Sequence, residues 1–312
     1  MSAFLFPGQG SQKVGMGVAL AEASAAARTV FEELDDALSQ KLSAIMADGP
    51  EDQLTLTENA QPAIMANAIA TLRVLESDFG VTLADHADAV AGHSLGEYTA
   101  LCAAGSFDLA TTARLLKLRG QAMQSAVPVG VGAMAALLGA DIEKATALAE
   151  ACAEGEVCEV ANDNDPGQVV LSGHVGAIDR AIALVKEHGI KRGVKLPVSA
   201  PFHCSLMQPA ADAMAAALAD APPANPVVAL YANVTAAKVA SGKEEQRLLV
   251  EQVTGRVRWR ESVAAMNADG IGEFVELGGK VLTPMIKKIA GEAQTASLIT
   301  MEDLETFAKD IG

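Results

Sequence analysis

The run Asp88-Ala89-Val90-Ala91-Gly92-His93-Ser94-Leu95-Gly96 joins two segments of opposite character. Residues 88–92 form a short apolar stretch ending in glycine, the pattern of a buried strand. Residues 95–104 favour a helix, which the Gly105-Ser106-Phe107-Asp108 turn stops. Between them, Gly92 to Gly96 matches G-x-S-x-G, a turn sharp enough to lift the Ser94 hydroxyl clear of a sheet. The helix beginning at Leu95 aims free amides and the positive end of its dipole at the same place, so the Leu95 amide is a natural oxyanion donor. Such five-residue patterns also recur as inert turns; the strand before and the helix after tie this one to chemistry on a serine.

Working outward, residues 3–6 read as a buried strand stopped by Pro7 and Gly8, and residues 17–38 and 63–79 read as helices. A helix carrying Arg114, Arg119 and Met123 follows the elbow. From Gly130 the order becomes strand 132–138, helix 142–152, strands 157–161 and 168–172, helix 175–188 and strand 193–198. This β-α-β-β-α-β order is the ferredoxin-like arrangement. Helix and strand then alternate to residue 299. The expected fold is α/β, with a discontinuous domain (residues 1–128 and 198–312) interrupted by a smaller one (residues 129–197).

A second glycine motif, Phe6-Pro7-Gly8-Gln9-Gly10-Ser11-Gln12, follows the first strand. It is a weak match to a dinucleotide fingerprint, because Lys13 stands where the third small residue belongs. It suits either a plain tight turn or a loop that lends the Gln9 amide to an oxyanion hole.

Composition excludes several function classes. Half of the 312 residues are hydrophobic and a fifth charged, as in soluble globular chains. A net charge of −16 opposes nucleic-acid binding, which needs a basic face. The start of the chain carries no secretory pattern, and the uncharged stretch 120–140 holds Gln121, Gln124, Ser125 and Pro128, so no membrane span is expected. Cys102, Cys152, Cys158 and Cys204 show neither C-x-x-C nor zinc spacing, which predicts reduced thiols in the cytoplasm and no metal site.

Seven stretches together resemble the malonyl-CoA:acyl-carrier-protein transacylases of fatty-acid synthesis and, more broadly, polyketide acyltransferase domains. They are residues 6–12, GHSLGEYTA (92–100), LRGQAM (118–123), NDNDPGQ (162–168), LPVSAPFH (196–203), residues 251–259 and VELGGKVL (275–282). The resemblance implies an α/β-hydrolase-like large domain with an inserted ferredoxin-like subdomain. It implies Ser94 as nucleophile and His203 as general base, with the amides of Gln9 and Leu95 as the oxyanion hole. Arg119 would bind the free malonyl carboxylate, and the Gln252 backbone carbonyl would orient the histidine in place of an acidic third member. Met123 and Asn162 are expected in the substrate cleft. Asn164 and Gln168 belong to the same stretch and either bond the acyl or pantetheine atoms or merely shape a turn. His93 either touches the acyl group or fills space beside the turn. Phe202 would exclude the extra methyl of methylmalonyl, a clash worth about 1–3 kcal/mol.

The implied reaction is ping-pong and needs no cofactor. Its partners are malonyl-CoA and acyl carrier protein, and the enzyme is expected to be a monomer. Acyl carrier proteins are acidic, so an acidic enzyme needs local basic patches. Lys191 and Arg192, with Lys195 nearby, and Lys287 and Lys288 are expected to flank one mouth of the cleft; scattered solvated lysines are the competing account. Three rival functions share parts of this pattern: a serine esterase or thioesterase, a free-standing polyketide acyltransferase, and a non-catalytic carrier-binding scaffold.

Overall fold

The computed structural model describes residues 1–198 and 200–311, so Ser199, inside the stretch 196–203, lies outside the described residues. Its strands are β1 (Ser2–Phe6), β2 (Ala89–Gly92), β3 (Gly132–Leu138), β4 (Cys158–Asp165), β5 (Gln168–His174), β6 (Arg192–Lys195), β7 (Ala229–Ala232), β8 (Ala237–Val239), β9 (Glu273–Leu277) and β10 (Gln294–Leu298). They form a six-stranded sheet in the order β10-β9-β1-β2-β7-β8 and a four-stranded sheet in the order β4-β5-β3-β6. The larger sheet is parallel except for the β7–β8 hairpin at one edge. The smaller is antiparallel throughout.

Parallel strands are covered by helices on both faces, and β1 shows how its sequence meets that demand. Phe4 and Phe6 join one core, together with Leu72 and Leu75 of the helix Thr57–Phe79 and Leu116 of the helix Leu109–Ser125. Ala3 and Leu5 point the other way, into a core with Trp259, Val263 and Met266 of the helix Trp259–Ala268. The smaller sheet repeats the device. Ala133, Ala135 and Leu137 pack with Leu148 and Ile178 from its own two helices, Ile142–Ala153 and Val175–Leu184. Met134 and Ala136 face back into the main core.

The small sheet is also tied to the segment that leads into the helix Trp259–Ala268. The Val257 amide donates to the Ala161 carbonyl at 2.8 Å, and the Asp163 amide donates to the Val257 carbonyl at 2.9 Å. Arg260 grips the buried Asp163 carboxylate with Nε and Nη2. Glu276, at the end of β9, accepts the amides of Val281, Leu282 and Thr283. That clamp accounts for the acid in VELGGKVL.

The structure departs from expectation in particular places. Residues 17–38 form two helices, Val18–Ala23 and Ala25–Leu38, because Ser24 turns extended and caps the second by accepting the Ala26 amide. The helix expected from residue 63 starts at Thr57 and runs through Pro62, which sits near its beginning, where the burial of most of its residues outweighs one lost backbone bond. Strand β4 continues to Asp165, with register shifts between Val160 and Asn162 and between Asp163 and Asp165. The strand expected over 193–198 ends at Lys195, before Pro197. The helices Leu42–Asp48 and Glu51–Thr55, strand β8 and the helix Met301–Ile311 lie where no element was expected. Among the described residues no helix is long and apolar enough to cross a membrane. The four cysteines are free and buried.

Candidate active site

The elbow stands at the carboxyl end of β2, near the centre of the larger sheet, where open parallel sheets present their ligand sites. Ser94 adopts φ 56°, ψ −110°, a backbone that L-residues rarely occupy, and the helix Leu95–Ala103 starts directly after it. Two glycines permit the turn. A Cβ on Gly92 would come within 1.9 Å of the Gly96 backbone, and one on Gly96 within 2.2 Å of the Phe6 carbonyl oxygen. The loop after β1 is tied in by the His93 amide, which donates to the Phe6 carbonyl at 3.1 Å.

The Ser94 hydroxyl lies 2.7 Å from His203 Nε2. His203 Nδ1 lies 2.8 Å from the Gln252 carbonyl oxygen, which can only accept, so the proton is on Nδ1 and Nε2 is free to accept from Ser94. His203 also has a positive φ, 58°. It is 4% exposed. Burial, and then the neighbouring Arg119 cation, push its pKa down to about 3. The unfolded chain therefore binds this proton more readily. The contribution of His203 to stability is complete above pH 6.5 and is lost as pH falls toward about 3. Its ring resonances are expected to stay at their neutral-form positions as pH is lowered through 6.5, as NMR of histidine-labelled protein would report. Half-titration near 6.5 would refute the burial argument.

Arg119 reaches the same hydroxyl, 3.2 Å away, from the helix Leu109–Ser125. Its Nη1 donates to Gln61 Oε1 and its Nη2 to Gln252 Oε1, each at 2.8 Å. The guanidinium lies 5.6 Å from the Tyr98 ring centroid and is 1% exposed. Among the described residues no carboxylate pairs with it. A buried cation held by two neutral amides beside the Ser94 hydroxyl leaves room for an anionic group from outside.

Ser94, His203, Arg119 and Gln61 line a cavity of ≈ 290 Å³ with Gln9, His93, Leu95, Met123, Asn162 and Phe202. Gln9, Thr55, Pro197 and Val198 also border an outer cleft of ≈ 670 Å³, which gives the cavity an entrance. His93 lines the cavity and is anchored at the same time: Nε2 lies 2.8 Å from Asn164 Oδ1, and the ring leans on Trp259. Phe202 is buried beside His203. Gln168 pairs with Asp165 and Leu138 in the small sheet and does not line the cavity.

The basic residues are brought together only in part. The register places Asp165, Gln168, Leu138 and Arg192 in one row across the small sheet, and Lys288 Nζ bonds Asp165 at 2.8 Å. Lys191, Arg192, Lys287 and Lys288 are all exposed, and none lines the cavity or its entrance.

Three further residues of the site carry no recognisable motif of their own. Asn233, just past β7, accepts the Ser94 amide at 2.8 Å and donates to the Gly92 carbonyl at 2.7 Å, bracing both sides of the turn. Gln61 holds Arg119. Glu97 accepts from the Asn233 amide and from Gln252 Nε2, which also donates to the Ser94 carbonyl. The available signals were polar residues in otherwise apolar surroundings, at a strand end for Asn233 and within helices for Gln61 and Glu97.

Residues 3–299 match the acyl transferase domain family. A malonyl CoA-acyl carrier protein transacylase of Bacillus subtilis is 41% identical over 305 residues, covering 97% of this chain and 95% of that protein. The crystal structure of an acyl-carrier-protein S-malonyltransferase from Bartonella henselae superposes with a TM-score of 0.97 at 50% identity, covering 100% of this chain and 99% of that one. A malonyl-transacylase in complex with a type II polyketide acyl-carrier protein gives 0.95 at 38% identity, covering 99% of both chains. The chain belongs to the acyl transferase family, among the malonyl CoA-acyl carrier protein transacylases.

Proposed function

We propose that this protein moves the malonyl group from malonyl-CoA to the phosphopantetheine thiol of acyl carrier protein by way of malonyl-Ser94. The observation that carries the substrate is the buried Arg119 guanidinium, 3.2 Å from the Ser94 hydroxyl and without a carboxylate partner among the described residues. Ser94 Oγ attacks the thioester carbon while its proton passes to His203 Nε2. The C–S bond breaks, and the CoA sulfur leaves with that proton. The carrier thiol then gives its proton to His203, attacks the acyl-serine, and Ser94 recovers the proton as it leaves. The developing oxyanion is met by the amides of Gln9 and Leu95; the latter opens the elbow helix and has no intrahelical acceptor. Arg119 fixes the malonyl carboxylate by two parallel charge-assisted bonds, and an acyl group without a carboxylate leaves that cation unanswered.

The same reading extends to the architecture. Residues 1–128 and 198–312 are an α/β-hydrolase-like domain, and residues 129–197 a ferredoxin-like insert. The order β4-β5-β3-β6, with one helix after β3 and one after β5, supports the latter. The enzyme works as a cytoplasmic monomer. Lys191, Arg192, Lys287 and Lys288 attract the acidic carrier from one end of the small sheet rather than from the rim of the cavity. Fatty-acid carriers are the principal partner, although the likeness to a transacylase bound to a polyketide carrier gives the second reading a footing.

Mass spectrometry after exposure to malonyl-CoA, acetyl-CoA and methylmalonyl-CoA tests this function. A malonyl adduct that outlasts water and is discharged by a pantetheine thiol is expected. Rapid loss to water would make the protein a hydrolase.

A further inference from the structure

Gly120 is buried within the helix Leu109–Ser125, next to Arg119. Glycine is the poorest helix former after proline, so an interior glycine weakens its helix unless something demands the missing side chain. Here the demand is contact. A Cβ on Gly120 would lie 2.5 Å from Glu58 Cα, 2.7 Å from the Glu58 nitrogen and 2.7 Å from the Thr57 carbonyl oxygen. All three atoms are backbone, in the first turn of the helix Thr57–Phe79, so no side chain can swing aside to make room. Carbon atoms rest at about 3.5–4.0 Å from each other, so a single methyl group would force the two helices apart by roughly 1 Å.

The start of the helix Thr57–Phe79 also carries a partner of the site. One turn after Thr57, Gln61 Oε1 accepts from Arg119 Nη1 at 2.8 Å, and Gln61 Nε2 donates to Met123 Sδ at 3.9 Å. Arg119 and Met123, four residues apart on one face of their helix, both line the cavity. Nearer the surface, Glu58 Oε2 accepts from Lys117 Nζ at 2.8 Å and from Gln121 Nε2 at 2.9 Å, which fastens the joint on both flanks of Gly120. We infer that Gly120 is a positioning residue for acyl selectivity. Its bare backbone contact holds the Arg119 guanidinium against Gln61 and 3.2 Å from the Ser94 hydroxyl, and so sets how strongly malonyl is chosen over acetyl. The selectivity rests on Arg119 being the malonyl site; the close approach does not.

The consequence is specific to the charged acyl group. Gln61 and Gln252 are the two amides that hold the guanidinium, and they arrive on different helices. Parting the helices Thr57–Phe79 and Leu109–Ser125 draws Arg119 away from Gln61 while Gln252 keeps its hold. The guanidinium then tilts, and its two parallel bonds to a carboxylate cannot both form. A misplacement of about 1 Å can cost as much as 10²-fold in rate. Acetyl makes no such bonds. The Thr57 hydroxyl also accepts from the Gln9 side chain at 3.3 Å, so the movement reaches the Gln9 loop as well. That disturbance falls on every acyl group alike and cancels in the ratio of malonyl to acetyl.

Gly120→Ala tests both halves. Alanine is the better helix former, so the melting temperature rises if the helices leave room and falls if they touch as described. The ratio of kcat/KM for malonyl-CoA over acetyl-CoA is expected to fall about tenfold, whereas a variant that is only less stable keeps the original ratio. An unchanged or higher melting temperature overturns the close approach. A lower one with an unchanged ratio overturns the positioning role. If Gly120→Ala does not fold, Gln61→Asn opens the same gap by drawing the amide back one methylene, without moving either backbone. An unchanged ratio in that variant overturns the positioning role too. Undiminished preference for malonyl in Arg119→Ala would sink the malonyl-site reading instead, and would leave the melting result untouched.

Discussion

Ser94→Ala should leave no malonyl adduct and should lower transfer to a pantetheine thiol by roughly 10⁶-fold, the scale seen when a serine nucleophile is removed from a comparable apparatus. The loss is this large because no neighbour can substitute. Cys204 adjoins His203 in sequence, but its thiol donates to the Pro201 carbonyl, and burial pushes its pKa up to about 11. Cys102, likewise buried and raised to about 11, lines a different cleft. The fold should survive, because Asn233 braces the elbow through backbone groups of Ser94 and Gly92 and not through the hydroxyl. Intact-protein mass and a carrier-transfer assay give both readouts. A malonyl adduct on the Ser94→Ala protein would remove Ser94 from the mechanism.

Arg119→Ala should reduce the preference for malonyl over acetyl by roughly 10²–10³, the cost of truncating one partner of a buried charge pair. The change falls on malonyl alone, since acetyl never used the guanidinium. Truncation also strands the side-chain carbonyls of Gln61 and Gln252, so thermal stability should drop by about 1–3 kcal/mol. Arg119→Lys separates charge from geometry. A lysine keeps the cation but cannot bridge two amides and a bidentate carboxylate at once, so it should fall between the two. The ratio of kcat/KM for malonyl-CoA and acetyl-CoA decides, and an unchanged ratio in Arg119→Ala would refute the clamp.

The elbow could be read directly because its demands are local. A strand, two glycines forced by contacts under 3 Å and a helix start all fall within a dozen residues. The pairing of His203 with Gln252 spans 49 residues and uses a backbone carbonyl, which leaves no mark on residue identity. Only the resemblance to a known family could supply it. Glu97 was visible inside GHSLGEYTA but silent, since its meaning depends on Gln252 and Asn233 arriving from the far end of the chain. The register shifts of β4 were invisible to a test of alternation, yet they fall in the segment that brings Asn162 to the cavity and Asn164 to His93. Lys287 and Lys288 are neighbours in sequence, which gave no warning that Lys288 would be engaged by Asp165.

The antiparallel pairing of β3 with β6, with Ala135 opposite Lys195, sets the first and last strands of the small sheet side by side. A segment whose two ends meet can be exchanged for another of different length without re-threading the larger sheet. It lends the cavity Met134 and Asn162, whereas Ser94, Arg119 and His203 stay behind in the other body. Grafting this segment between homologues should therefore yield chimeras in which the preference for malonyl, argued above from Arg119, and the turnover chemistry both follow the host.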